Sequence, residues 1–516
     1  MPGAGLPPRR TAVDWLLLSA ALVASLIVWR ALPSSYFQGD DFMNLFRIVD
    51  RPLGEYLLST HAGHVLVVRN AVFYLFARLF GTDAARYFVV VLLTHLLNTA
   101  LLFGLLRRVT RSPWVAGFGA LLFGTCPVAE GALAWYSVYG QVLVPTALLL
   151  SLTLASRAAA RGRALARGEA LLAGAAMIAA ALSFGIGIAV AMLLPVALAL
   201  VVPRPPGRAA WRLPLLALPL LVPLCYLAAY AAYDRVAGTA TAEGPRALAS
   251  VALQHWWRVP EMVLGLLGYG GARLLGGAVP LPFGAPWVMV AGLLALLGLS
   301  AAAYRRGDGA TRRWLLAAWL LTLGAYGIIA LGRIYLWNEN AFFMAAQARY
   351  HYTTLATLSL IVCLGLSGIA PRPLSRAGAA GGLFGLWLVA AAGAFAAWPP
   401  APYLNTRERR EVDFALNWMR ARVAAAPPQQ PVYLTNRALH AAGALFIGMN
   451  DFPGWAALFA VYYPTNEADG HRVYFVEREA QVRERYRDGR RTRDLLVAPE
   501  AAPPEGSPTA APEAHP

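Results

Sequence analysis

The sequence has no lysine: all 44 of its basic residues are arginines. Acids are scarce through the first 400 positions, and charged residues make up only 14% of the chain, against about 25% in a soluble domain. An ordinary soluble fold is thereby excluded. The net charge of +17 is not laid out for nucleic acid, because the arginines fall in short clusters between apolar runs. Cysteine is almost absent. Cys126, Cys225 and Cys363 each lie in or at the end of an apolar run. Without metal-ligand spacing they predict neither a disulfide framework nor a zinc site, only small buried thiols.

What the chain has is long hydrophobic runs, with 58% apolar residues overall. Runs of about 20 residues punctuated by arginine mark a polytopic membrane protein. The first, Val13–Leu32, follows Arg9 and Arg10 and is too long for a signal-peptide core, so it predicts a retained anchor. Further spans are expected at Tyr87–Leu106, Trp114–Pro127 and Val142–Ala155. Two short helices should share Glu169–Val202, broken at Ser183-Phe184-Gly185-Ile186-Gly187. Leu213–Tyr233, Pro286–Tyr304, Trp314–Leu331, Tyr352–Ile369 and Ala377–Trp398 follow.

The arginine clusters of alternate connections set the orientation of these eleven spans. The N-terminus falls in the cytoplasm and the C-terminus outside, in what reads as a bacterial inner membrane. Segments 33–86, 128–141, 234–285 and 332–351 become outer loops around a transmembrane domain covering residues 1–398. Within them His64–Phe80 has the period of an interfacial helix. Gln254-His255-Trp256-Trp257-Arg258 reads as an aromatic belt, and Glu261–Leu275 as a segment that enters the membrane without crossing.

After Trp398 the composition becomes polar. Residues 399–496 predict a small extracytoplasmic α/β domain. Asn405 with Glu408 resembles a capping box. Val412, Ala415, Leu416, Met419 and Val423 then line one helix face, and Pro431–Thr435 and Arg472–Val476 have the pattern of strands. Residues 497–516, rich in proline, alanine and glutamate, predict a disordered tail.

Few residues could carry chemistry. Asp40 and Asp41 abut the outer end of the first span, where a carboxylate is expensive to desolvate. They suit a general base or a metal ligand, or simply solvate the outer face. Glu130, in the second outer loop, could share a divalent cation with Asp40, or cap a helix. His61 and His64, spaced i, i+3, would share a helix face and could contact metal or phosphate. They also fit as plain interfacial polar residues. His95, inside the second span, reads as a helix–helix hydrogen bonder. Arg349, in Arg349-Tyr350-His351-Tyr352, has the donor fork that phosphate oxygens fit, or else snorkels to the interface.

Taken in order, these motifs resemble a known family. They are Asp40-Asp41, Gly63-His64 with Arg69, Leu79-Phe80-Gly81, and Thr94-His95-Leu96-Leu97-Asn98. Phe123, Pro127, Glu130, Trp135 and Arg349-Tyr350-His351-Tyr352 complete the set. The pattern is similar to the GT-C superfamily of integral membrane glycosyltransferases, in the branch of the protein O-mannosyltransferases and family 39. The resemblance implies transfer of a sugar from a polyprenyl-phosphate-linked donor to a hydroxyl acceptor on the extracytoplasmic face, with inversion. It implies Asp40 as base with Asp41 its partner, Glu130 as the second-loop acid and Arg349 at the donor phosphate. Tyr352, His61 and His64 become possible substrate or metal contacts, and the cation, if used, Mg or Mn.

The chain also departs from that pattern. Phe184-Gly185 stands where relatives often carry Lys-Glu, Cys126 where they carry His, and Gln141 where some carry Asp, which leaves metal dependence open. The competing class is a non-enzymatic transporter, flippase or cell-envelope assembly factor. Against it stand acids gathered at span ends and no two-half symmetry.

Overall fold

The computed structural model describes residues 11–61, 64–203, 217–237, 251, 253–277, 285–334, 340–369, 373–397, 406–425, 427, 432–435, 461–462, 467–468 and 471–476. They fall into two compact units. One runs to Asp41 and resumes over Pro52–Thr406; the other comprises Phe42–Arg51 and the residues from Arg407 onward.

The first unit is a helical bundle. It opens with α1 (Ala12–Val28), then α2 (Gly39–Asp50), whose first turn alone belongs here, and α3 (Leu53–Leu58). A two-residue hairpin, β1 (Thr60–His61) with β2 (His64–Val65), leads to α4 (Val67–Phe80). Next come α5 (Ala84–Thr110), α6 (Pro113–Thr125), α7 (Glu130–Leu133), α8 (Gly140–Ala160), α9 (Arg167–Ala181) and α10 (Gly185–Val201). The second half holds α11 (Leu218–Ala237), α12 (Arg258–Gly276), α13 (Pro286–Arg306) and α14 (Gly309–Gly332). It ends with α15 (Ala341–Ala345), α16 (Tyr352–Ile369) and α17 (Pro373–Ala397).

Among the described residues, six helices are long and apolar enough to cross a membrane: α1, α5, α8, α13, α14 and α16. The chain bends by 46° after α6, and α6 reaches that length only together with residues beyond the bend. α10 and parts of α11 and α17 are shorter apolar helices. α9, of 15 residues, stands where the fifth span is expected. The break between α9 and α10 falls at the start of the stretch the sequence gives for it, and Gly185-Ile186-Gly187 already belong to α10.

Local chemistry explains the ends. The Thr11 hydroxyl accepts from the Asp14 amide, and the Asp14 carboxylate accepts from the Thr11 amide at 2.7 Å, a capping box that starts α1. Asp308 caps α14 by accepting from the Thr311 amide at 2.7 Å. Leucines on α1, α5, α11, α13 and α17 stay exposed to the outside. That costs nothing when the surrounding solvent is lipid.

Inside the bundle helices approach through small residues. A Cβ added at Gly292 on α13 would stand 2.4 Å from the Gly268 carbonyl oxygen of α12. α12 is a single helix, largely buried from Gly265 onward and packed on α13, α14 and α16.

His95 joins three helices, as its position in a span suggests. Its Nδ1 meets the Tyr352 hydroxyl at 2.8 Å, and its Nε2 meets the Gly124 carbonyl at 2.9 Å.

In the second unit, α18 (Thr406–Ala424) buries Val412, Ala415, Leu416, Met419 and Val423, the face read from their spacing. β3 (Val432–Thr435) pairs in parallel with β5 (His471–Val476), whose other edge takes β4 (Glu467–Ala468) in antiparallel fashion. Asn405 of the expected capping box and the tail 497–516 lie outside the described residues.

Candidate functional site

Asp40 and Asp41 occupy the first turn of α2, where the helix dipole favours negative charge. Both are buried. Asp41 is locked in place. One carboxylate oxygen accepts from the Ser137 amide at 2.6 Å and the Ser137 hydroxyl at 2.5 Å; the other accepts from the Gln38 amide at 2.9 Å. Burial pushes its carboxyl up to about 7, aided by the neighbouring Asp40 charge and opposed by the Ser137 and Gln38 hydrogen bonds. Asp41 thus ties the connection between α6 and α8 to the one that follows α1. Gln38 adds a second tie, donating from its side chain to the Ala134 carbonyl at 3.3 Å.

Arg69 is the residue that sequence reasoning undervalued. As part of an interfacial helix it reads as an interruption. In the structure it is among the largest fully buried side chains. Burial lowers its pKa, against charge interactions with Tyr56, Asp41, Tyr136 and Asp40 that favour the cation. A buried guanidinium beside two buried carboxyls offsets charge that would otherwise be prohibitive there. The available signal was the neighbouring Asn70: an arginine and an asparagine side by side in an apolar run point inward. Asn70 does, donating to the Tyr56 and Ser59 carbonyls at 3.1 and 3.2 Å.

Aromatic rings wall this cluster. Tyr136 meets Phe73 edge-to-face at 4.7 Å and Tyr87 at 4.8 Å, and stacks on Tyr139 at 5.4 Å. Its hydroxyl is buried without a hydrogen-bond partner.

A second cluster forms where α7 meets the 3-10 turn Ala348–Tyr350. A Cβ at Gly131 would stand 2.4 Å from the Arg349 amide nitrogen, so only glycine lets the two segments touch. This contact brings the Glu130 and Arg349 loops together. The Arg349 guanidinium lies over the rings of Trp135, at 5.4 Å, and Tyr350, at 5.2 Å. Arg349 Nε and Trp135 Nε1 are both buried donors without a hydrogen-bond partner. Glu130 is half-buried and interacts electrostatically with Arg273 of α12.

The remaining expected residues lie elsewhere. His61 and His64 are not on a helix, which corrects the i, i+3 reading. They are opposed partners across β1 and β2, because the chain turns back before α4 begins at Val67. His64 packs on Phe184, ring centroids 6.0 Å apart, at the α9–α10 break. Tyr352 is fully buried, its hydroxyl bound to His95 and to the Asn98 amide nitrogen at 3.3 Å. Among the described residues no three His, Cys, Asp or Glu side chains gather as a metal set. Beside the acids stands the buried Arg69 guanidinium.

No protein-family model and no curated protein matches the sequence. Among solved structures the chain is similar to ArnT from Cupriavidus metallidurans bound to undecaprenyl phosphate. The TM-score is 0.52 at 15% identity, over 92% of this chain and 89% of that one. Weaker likenesses are to the Archaeoglobus fulgidus oligosaccharyltransferase. Its complex with Zn and sulfate has TM-score 0.42 at 14% identity, over 83% of this chain and 61% of that chain. The same enzyme tethered to an acceptor peptide has TM-score 0.41 at 15% identity, over 80% and 57%. At these identities the likeness to ArnT is one of fold.

Proposed function

With the GT-C fold shared with ArnT as premise, we propose that the chain is an integral membrane glycosyltransferase. It takes a sugar from a polyprenyl-phosphate-linked donor and passes it to a hydroxyl acceptor at the extracytoplasmic face. The observation that carries the reading is the buried acid pair at the N-terminus of α2, with Arg69 beside it.

The two acids divide the work. Asp41 has both oxygens engaged, so it positions the loop. Asp40 is the base: it takes the acceptor's hydroxyl proton as that oxygen bonds to the anomeric carbon. The bond from anomeric carbon to phosphate oxygen breaks in the same displacement, through an oxocarbenium-like transition state and with inversion. The polyprenyl phosphate leaves with the bonding pair, needing a cation rather than a strong acid.

Arg349 Nε and Trp135 Nε1, buried donors in one cluster, suit the departing phosphate oxygens. Glu130, held near Arg273, orients that side of the site. No step is routed through a metal.

Membranes carrying the protein, supplied with polyprenyl-phosphate sugars, should yield sugar-modified acceptors detectable by mass spectrometry. Asp40→Asn should abolish transfer while leaving the thermal midpoint within a few degrees of wild type. Normal product formation by that variant would remove the catalytic assignment. Arg349→Gln should weaken donor binding more than acceptor binding.

A further inference from the structure

A cavity of about 1140 Å³ lies at the end of the bundle opposite the acid pair, beside Asp14 at the start of α1. Seven arginines line it against three acids. The acids are committed elsewhere. Asp14 is bound by Arg107 and Thr11. Glu169 takes both oxygens to Arg163, outside the lining, at 2.7 Å each. Asp308 accepts from the Thr311 amide and hydroxyl at 2.7 Å each, while also interacting electrostatically with Arg111 and Arg313. What the cavity presents to a guest is therefore arginine.

Two polar groups of the lining are incomplete. Arg107 Nη1 and Ser367 Oγ are buried with no hydrogen-bond partner. Leaving a buried donor unmade is unfavourable, and such groups ordinarily find a partner. Arg107 sits at the end of α5 and Ser367 near the end of α16, so two separate helices contribute these groups to the wall of one basic cavity. Apolar side chains, Phe103, Val201, Trp314 and Leu364, complete the wall. The set combines guanidinium forks, a hydroxyl donor and an apolar flank. Guanidinium is the group of choice for phosphate oxygens, and cytoplasmic leaflets are rich in anionic lipid.

We propose that this cavity is a binding site for a phosphate-bearing anion, distinct from the transfer site and independent of the transferase reading. Two sources share this chemistry: the headgroup of an anionic phospholipid, for which the apolar flank would take the upper acyl chains, and free phosphate in the aqueous phase.

The test uses the full chain in nanodiscs. Phosphatidylglycerol and phosphatidylcholine are compared by native mass spectrometry of retained lipid, and inorganic phosphate is titrated by calorimetry in phosphatidylcholine nanodiscs. Two variants are made: R107Q, and R157Q with R161Q together, the last two being exposed lining residues. Retention of phosphatidylglycerol over phosphatidylcholine that falls about tenfold in R157Q/R161Q assigns the site to a headgroup. Phosphate binding lost in that variant, without lipid preference, assigns it to free phosphate. If neither probe binds, or both bind the variants as they bind wild type, the proposal is overturned. R107Q also breaks the pair with Asp14, so the double variant keeps the test valid should R107Q not fold.

Discussion

Replacing Asp41 by asparagine should have opposite effects on stability at low and at high pH. The folded carboxyl titrates at about 7 and its ordinary value is 3.8, with burial as the cause. The native state therefore holds a proton that the unfolded chain has released between those two values. Stability from this group is complete below about pH 4 and is lost as pH rises through 7. The displacement corresponds to ~4 kcal/mol.

Asparagine carries no charge, so it abolishes this loss. It also offers one acceptor oxygen in place of two. If that oxygen keeps the Ser137 bonds, the amide faces the Gln38 N–H instead of accepting from it, at a cost of ~1–3 kcal/mol. D41N should accordingly be less stable than wild type at pH 4, and as stable or more stable at pH 8. Tryptophan-fluorescence melting of the detergent-solubilised protein, which has 15 tryptophans, reads both. Other titrating groups cancel in the comparison. A deficit of the same size at both pH values would refute the argument that Asp41 is held protonated by burial.

Three other outcomes follow from the same packing. Arg69→Met removes the buried cation from beside Asp40 and Asp41 and should cost ~3–5 kcal/mol, seen as a large fall in the melting midpoint; Arg69→Lys should lose less. Gly131→Ala forces the Arg349 backbone away and should cost ~1–3 kcal/mol, with transfer activity falling further than stability explains; an active, unshifted variant would mean the two loops move freely. Tyr352→Phe should lower the melting midpoint by the ~1 kcal/mol of its hydrogen bonds to His95 and Asn98 and leave KM for donor and acceptor unchanged. A raised KM would show that Tyr352 contacts substrate.

The membrane class, the order of helices and the break at Ser183 were legible because lipid imposes length and apolarity on each span. The buried face of α18 was legible from spacing alone. What stayed hidden depended on contacts between distant loops. Asp41 looks identical to Asp40 in sequence, and only its bond to the Ser137 amide, far along the chain, shows it as a clamp between two loops. Arg69 looked interfacial because a helical period says which residues share a face but not what that face meets. The histidines were misplaced because two residues of hairpin pairing are too few to leave a strand pattern.

The connection between α6 and α8 is pinned twice, at Gly131 against the Arg349 backbone and at Ser137 by the Asp41 carboxylate. The stretch between those pins has no slack. A residue inserted there would have to break one contact or the other, so its length should be invariant among homologues. An alignment of relatives, once assembled, should show gaps clustered outside residues 131–137 and none within them.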